Sequence, residues 1–387
     1  MTAIYTITSE LHDEKTVSAA TQAFLESLNI DYVMQGADFS TFGQHALDLI
    51  YVRTGGTEGI FKRLLPQLQT QTQRPLRLLT SGKSNSLAAS MEILSYLRQQ
   101  GLRGEIIHGA ADYIRRRVQL LEQAGEALLR LRGCRLGIVG APSDWLIASD
   151  ADREAVSRKL GIELTDIAME ELLEDERLKI KDERLCGSSG AEAIYHALKA
   201  IVGRHGLQGF TIRCFDLLTA VKNTGCLALA KLNSEGTVAG CEGDVPALLS
   251  MTIVKALTGV SGFQANPAKI NPQTGEMIFA HCTIPLNMVE RYELDTHFES
   301  GIGVGIRGYM KTGPVTIFKV SGDLQRCFVA EGELVRNEAK PDLCRTQQVI
   351  RLNDAAQAAY FLTQPIGNHH IVVPGHHAET LKAIMEE

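Results

Sequence analysis

The sequence predicts an α/β chain: two Rossmann-like α/β domains with parallel sheets, at 1–130 and 131–292, followed by a C-terminal antiparallel β-rich, barrel-like domain at 293–387. Three observations carry this. Through the first two-thirds, short apolar runs alternate with amphipathic helical stretches, the signature of strands crossed over by helices. The strand runs are buried in character, as in a parallel sheet covered on both faces. Beyond about residue 290 the helices give way to apolar segments separated only by turn residues, the spacing of a small sandwich or barrel. At 387 residues with 44% hydrophobic side chains, the chain has material for more than one core.

Taken in order, the first domain opens on a strand at 4–8 and a helix at 16–28. A strand at 47–53 breaks into Thr54-Gly-Gly-Thr-Glu-Gly59 ahead of a helix at 60–69. A strand at 76–80, the loop Ser81-Gly-Lys-Ser-Asn-Ser86 and a helix at 87–100 closed by Gly101 repeat the pattern. Neither loop has the form of a phosphate cradle. The residues before Ser81 lack the first glycine and the loop length of a Walker motif, and the Thr54 loop lacks the spacing of a dinucleotide fingerprint. A long helix at 113–131 leads to the second domain, with strands at 135–139, 162–167 and 209–214 and helices at 150–160, 169–185 and 191–203. The apolar stretch 226–232 reads as a short strand, turned by Asn233-Ser-Glu-Gly236 into another at 237–241. The third domain offers strand segments at 301–308, 314–320, 325–330 and 347–352, then Gly367-Asn-His-His and a last helix at 378–386.

Composition excludes several function classes. A formal charge of −6 without a basic block gives no field for nucleic acid. No apolar run is long enough to span a bilayer, and the first residues carry no basic-then-apolar leader, so the expectation is a cytoplasmic protein of small-molecule chemistry with no membrane partner. The eight cysteines include no Cys-x-x-Cys pair, and read as reduced, mostly buried thiols.

The chemistry-bearing stretch is Ala239-Gly-Cys-Glu-Gly-Asp-Val-Pro-Ala-Leu248, where Glu242 and Asp244 sit among glycines between a strand and a helix. Carboxylates there point into the crevice where open α/β sheets bind ligands, although an acid at a helix start also complements the macrodipole. Both are candidate catalytic residues. Asp144 and Trp145 occupy another strand-to-helix loop. Trp145, the one tryptophan, suits either stacking on a sugar ring or closing a subunit contact. Glu242, His281 and the pair His369-His370 are candidate ligands for a divalent ion such as manganese, since mixed carboxylate and imidazole donors leave open positions for a chelating substrate. Their spacing is non-local, and hydrogen-bonded core histidines are the plainer reading.

Cys241-Glu-Gly-Asp-Val-Pro-Ala-Leu248, Ala280-His-Cys282, Gly367-Asn-His-His370, Ser81-Gly-Lys-Ser-Asn-Ser-Leu87 and Pro142-Ser-Asp-Trp-Leu146 together resemble the L-fucose isomerase and L-arabinose isomerase superfamily. The likeness runs through most of the chain. It implies two α/β domains and a β-rich third, and aldose–ketose interconversion through an ene-diol held on manganese. It also implies a cyclic homo-oligomer, trimer or hexamer, with sites formed between subunits. Residue by residue, Glu242 resembles the carboxylate that binds the metal and moves a proton, and His281 the histidine ligand of the arabinose isomerases. One of His369 and His370 resembles the C-terminal histidine ligand. Spacing to Gly375-His376 favours His369 on the fucose pattern, and the arabinose pattern favours His370. Trp145, Asp144, Arg213 and His281 are the expected sugar contacts.

The chain departs from the pattern at Phe263-Gln-Ala-Asn266, where the superfamily carries a second metal-binding carboxylate. Asn266 can coordinate but brings no charge and carries no proton. This leaves two readings: an isomerase in which Asp244 stands in, or a carbohydrate-binding relative without isomerase activity.

Overall fold

The computed structural model describes residues 1–179 and 187–387; of the helix expected at 169–185 only Met169–Leu173 is helical among them, since the chain turns from Glu174 on, and Cys186 lies outside the described residues. The chain divides into two compact units, residues 1–129 with 386–387, and residues 130–385.

The first unit holds β1 (Thr2–Ile7), α1 (Glu14–Leu28), β2 (Tyr32–Gly36), β3 (Leu47–Val52), α2 (Glu58–Gln71), β4 (Leu76–Leu79), α3 (Ser86–Gln99), β5 (Gly104–Ile107) and most of α4 (Ala111–Leu131). Its sheet is parallel in every pairing, in the order β2-β1-β3-β4-β5. β3 is almost wholly buried, as its Leu-Asp-Leu-Ile-Tyr-Val run requires for a strand covered on both faces. Asp13 caps α1, accepting from Thr16 N at 2.8 Å. β2 and β5 are short, and β2 is half exposed, so neither carries the apolar run by which the central strands announce themselves.

The second unit begins with β6 (Arg135–Val139), α5 (Arg153–Leu160), β7 (Glu163–Ile167), α6 (Met169–Leu173), α7 (Ser188–His205), β8 (Gly209–Ile212), α8 (Cys214–Val221), α9 (Cys226–Ser234), β9 (Val238–Gly240) and α10 (Val245–Thr258). Its parallel sheet runs β7-β6-β8-β9. The segment 226–232, read from sequence as a strand, is the helix α9. Its Cys-Leu-Ala-Leu-Ala-Lys-Leu run contains no β-branched residue and is rich in the two best helix formers. It is apolar on nearly all sides because nearly every residue of it is buried.

A second sheet in the same unit closes into a barrel of β10 (Phe263–Asn271), β11 (Glu276–His281), β14 (Gly313–Val320), β15 (Cys327–Glu338), β16 (Thr346–Leu352) and β17 (His370–Pro374), in the order β10-β11-β16-β15-β14-β17. All its pairings are antiparallel. β12 (Arg291–Asp295) and β13 (Gly305–Tyr309) form a separate ribbon, α11 (Ala358–Thr363) lies before β17, and α12 (Ala378–Glu386) ends the chain. Two α/β sheets and a C-terminal closed antiparallel barrel are therefore the architecture. The barrel takes its first two strands from 263–281, within the stretch read as the second domain. α10 leads into β10 with only four residues between, and no change of texture marks the transition.

Gly125 shows how tightly α4 lies in the first unit: a Cβ placed there would sit 1.8 Å from the Ala46 carbonyl oxygen. Helix propensity alone favours Gly125→Ala by about 1 kcal/mol. The clash reverses the sign, and the variant is expected to lose about 1–3 kcal/mol in a chemical-denaturation measurement.

Candidate active site

Glu242 sits where the sheet of the second unit hands over to α10. β9 ends at Gly240, and the backbone then turns through left-handed conformations at Glu242 (φ 62°) and Gly243 (φ 63°) before Asp244 caps the helix. Gly243 is required twice, for its positive φ and because a Cβ would lie 3.0 Å from both Ala141 O and Ser143 N. Glu242 has no such freedom. A branched-off Cβ in this region costs about 1 kcal/mol or more, so the surroundings must hold it. Gly243 N donates to Ile212 O at 2.9 Å, Val245 N donates to Ser149 O at 2.9 Å, and the Ser143 hydroxyl donates to the Glu242 carbonyl. From the barrel, the Gln264 amide clamps Cys241 on both sides, accepting from its N–H at 2.8 Å and donating to its carbonyl at 3.2 Å.

The barrel supplies the histidines. His281 is the last residue of β11. Its Nε2 lies 3.3 Å from Glu242 Oε1, and its Nδ1 lies 3.0 Å from the Thr283 hydroxyl. His369 immediately precedes β17. Its Nδ1 donates to Asp244 Oδ2 at 2.9 Å, and its Nε2 stands 3.6 Å from the same Glu242 Oε1. The two rings meet edge to face with centroids 5.2 Å apart. His369 Nε2 is buried and has no hydrogen-bond partner. Neighbouring side chains in an extended backbone point oppositely, so His370 faces elsewhere. Its Nδ1 donates to Asn368 O at 3.0 Å, its Nε2 accepts from the Tyr360 hydroxyl at 3.0 Å, and Phe361 and Phe328 pack around the ring.

Asp244, expected as a catalytic acid, has both oxygens engaged. Oδ1 accepts from Ala247 N at 2.8 Å, Oδ2 accepts from His369, and both lie 3.2 Å from Lys319 Nζ. Lys319, on β14, is 1% exposed. A lone lysine in the apolar run Pro314-Val-Thr-Ile-Phe-Lys-Val320 was the sequence signal for this pair, because a buried ammonium needs a buried anion.

These contacts set the charges. Burial alone would raise the Glu242 carboxyl, but the His369 charge and the His281 hydrogen bond hold it well below the usual carboxylate range. Asp244 behaves likewise: burial opposes ionisation, and the Lys319 charge and the His369 hydrogen bond bring it to about 2. Burial pushes His369 down, but the Glu242 charge and the bond to Asp244 win, raising it to about 9. His370, with burial dominant, falls to about 3 and stays neutral.

Glu242, His281 and Asn266 line one cavity with Phe215, Thr224, His297, Glu299 and five cysteines. Asn266 Oδ1 accepts from Asn368 Nδ2 at 3.0 Å. Arg213, Asp144 and Trp145 gather at the carboxyl edge of the sheet: Arg213 binds Asp216 at 2.7 Å and Asp144 at 3.3 Å, and its guanidinium lies 5.2 Å from the Trp145 ring centroid. They do not line the cavity, but Phe215 does, and its ring is 5.2 Å from Trp145. His297 and Glu299 were not found from the sequence. Asp295-Thr-His-Phe-Glu-Ser300 has no ligand spacing, and only the fold brings this loop to Glu242.

The donor set passes a physical test for a divalent cation. Among the described residues, His369 Nε2 is a buried ring nitrogen with no hydrogen-bond partner, 3.6 Å from a carboxylate oxygen shared with His281. Cys241, Glu242 and His281 also present a thiol, a carboxylate and a ring nitrogen within 4.8 Å of one another. A possible metal-binding group is thus present, and nothing in it names the ion.

Two predictions follow from the ion network. Lys319→Met leaves Asp244 buried without its cation, and is expected to cost on the order of 3 kcal/mol in denaturant titration. Because the folded His369 value is raised above the ordinary 6.5, its contribution is complete at low pH and is lost as pH rises through about 9. In chelator, the thermal midpoint of the metal-free protein should therefore fall between these two pH values. His369→Gln should remove that part of the slope.

No protein-family model matches this chain. It is 24% identical over 257 residues to a sulfoquinovose isomerase of Clostridium sp., a stretch covering 60% of this chain and 56% of that protein. It is 23% identical over 281 residues to the sulfoquinovose isomerases of Priestia aryabhattai and Priestia megaterium, covering 64% of this chain and 62% of theirs. The chain thus matches less than two-thirds of the length of these relatives. Among the described residues, no helix is long and apolar enough to cross a membrane. At this low identity and partial coverage the relatives give neither a substrate nor a metal for this chain.

Proposed function

We propose that this protein is a metal-dependent aldose–ketose isomerase acting on a sugar or sugar derivative by ene-diol chemistry. The observation that carries the reading is the convergence of His281 Nε2 and the partnerless His369 Nε2 on one oxygen of Glu242. Those three residues would hold the ion, manganese or another divalent cation, with His370 in a structural role. Bound there, the cation would supply the positive charge that polarises the two substrate oxygens and makes the carbon-bound proton acidic.

The chain's own residues do the rest. Asp244 fixes the His369 tautomer by accepting its Nδ1 proton, which leaves Nε2 as the ligand atom. Thr283 can donate to His281 Nδ1 or accept from it, so His281 can free its Nε2 without moving. Glu242 carries the proton between the two substrate carbons, since Asp244 is saturated and Asn266 has no titratable proton. The His369 charge and the His281 hydrogen bond keep Glu242 ionised in spite of its burial, and the ionised state is the one a base requires. The patch of Trp145, Asp144 and Arg213, reached from the cavity through Phe215, receives the remainder of the sugar. Sulfoquinovose, named by the relatives, is the first substrate to test. The working form is a cyclic homo-oligomer, trimer or hexamer, which sedimentation at micromolar concentration checks.

Asn266 in the cavity lining favours a second reading, a carbohydrate-binding relative without turnover. Incubating the manganese-loaded protein with sulfoquinovose and common aldoses in deuterated water separates the two. Deuterium incorporation at the carbon beside the carbonyl, lost by about 10²–10⁴-fold in Glu242→Gln, is the expected result. Sugar binding without exchange would establish the binder, and failure to bind any divalent ion would remove both the metal and the isomerase. Asn266→Asp adds an anionic oxygen donor and is expected to tighten manganese binding about tenfold or more in calorimetry. Equal affinities would show that this position is no ligand.

A further inference from the structure

Five of the eight cysteines, Cys214, Cys226, Cys241, Cys282 and Cys344, line the cavity that holds Glu242 and His281. Packing alone would scatter buried thiols among the cores, as small apolar side chains. Here they converge on one cavity beside a carboxylate and an imidazole, and the sulfurs of two of them touch. β8 and β9 are parallel neighbours with Thr211 opposite Gly240, so the chain leaves both strands at the same level. Cys214 opens α8 and Cys241 follows β9, and their sulfurs lie 3.4 Å apart as free thiols.

We propose that this cavity is also a binding site for a thiophilic cation, zinc or a similar soft d10 ion, held by Cys214 and Cys241 with His281 and Glu242 completing the set. In a tetrahedral site with bonds of about 2.3 Å to sulfur, two thiolates stand about 3.8 Å apart, close to the separation seen. The Cys241 sulfur, a Glu242 oxygen and a His281 nitrogen lie within 4.8 Å of one another, and Cys214 joins this group through its 3.4 Å contact with Cys241. Binding exchanges two thiol protons for the cation: M²⁺ + 2 RSH gives M(SR)₂ + 2 H⁺, with no change of oxidation state. Cys214 is half-buried and Cys241 fully buried, so one of the two thiols remains within reach of solvent.

The proposal goes beyond the isomerase reading but shares two residues with it. Manganese prefers the oxygen and imidazole donors of Glu242, His281 and His369, whereas zinc prefers the thiolates. One cavity then offers a hard and a soft ligand set that cannot be filled together. The cation that occupies the site is decided by which set wins.

Titrating reduced, metal-stripped protein with cadmium tests this without any substrate, so it fails or succeeds separately from the sugar chemistry. The expected result is one cadmium per chain with a thiolate-to-metal charge-transfer band in the ultraviolet, and loss of two thiols from titration with a disulfide reagent. Cys214→Ser should weaken cadmium binding at least about tenfold, since even outer partners of metal ligands are worth that much. Cys327→Ser, at an exposed thiol outside the cavity lining, should leave it unchanged. Should Cys214→Ser not fold, zinc-edge absorption on the unaltered protein decides, with two sulfur scatterers expected. A zinc shell of nitrogen and oxygen alone, or a full band in Cys214→Ser, would overturn the proposal. Saturating zinc should also lower manganese affinity, and unaltered manganese binding would show that the two sets are not shared.

Discussion

The buried contact between Asp244 and Lys319 is the constraint on which the site depends. Both groups are essentially removed from water, at 3% and 1% exposure, and either alone would be expelled or neutralised. Together they hold because every Asp244 oxygen is used: one by the first turn of α10, one by His369, both by the ammonium. The contact therefore joins three elements, the helix start, the barrel strand β14 and the residue leading into β17. A hydrophobic pair of the same volume could match it in stability. It could not present an imidazole with a fixed tautomer to Glu242.

Glu242 is held by the opposite means, backbone rather than charge. Its left-handed φ is kept by hydrogen bonds from Ser143, from the Gly243 and Val245 amides, and from the Gln264 side chain, which binds Cys241 much as another strand would. Gln264 belongs to the stretch Phe263-Gln-Ala-Asn266, where the resemblance leads one to expect a second carboxylate. That stretch is not simply depleted: it carries an amide that bonds the site loop from the barrel, and another, Asn266, that faces the cavity. Neutral side chains there leave the loop's geometry intact while lowering the negative charge beside the histidines.

Much of the fold was legible because burial on both faces writes continuous apolar runs, as in β3, and because acids set among glycines, as at Asp244, mark where a helix starts. The barrel was legible from spacing. The strands β2 and β5 were not, being short and half exposed, and α9 resembles a strand in sequence because complete burial erases helical periodicity. Glu242, His281 and His369 stood out through their chemistry and their resemblance to known sites, but the choice between His369 and His370 needed the backbone. In an extended chain one of two adjacent side chains must face away, and here the one that faces Glu242 is His369. Lys319 could have been found as a charge in an apolar strand. His297 and Glu299 could not, since only long-range pairing brings the β12–β13 ribbon to the cavity.

The charges around the centre explain why its occupant matters. Without a cation, the carboxylates of Glu242 and Asp244 are faced by His369, raised to about 9, and by the Lys319 ammonium at 3.2 Å from Asp244, so that two negative groups meet two positive ones. A divalent ion that displaces the His369 proton adds two positive charges for the one removed, leaving a net charge of about +1 in a space of low polarisability. A second carboxylate at 266 would cancel that excess, and asparagine preserves it. An excess positive charge weakens the hold on the ion, and it also favours an anionic ligand or a developing oxyanion in the same cavity. An amide at 266 where a carboxylate could stand would thus shift electrostatic attraction from a bound cation toward whatever negative charge enters beside it.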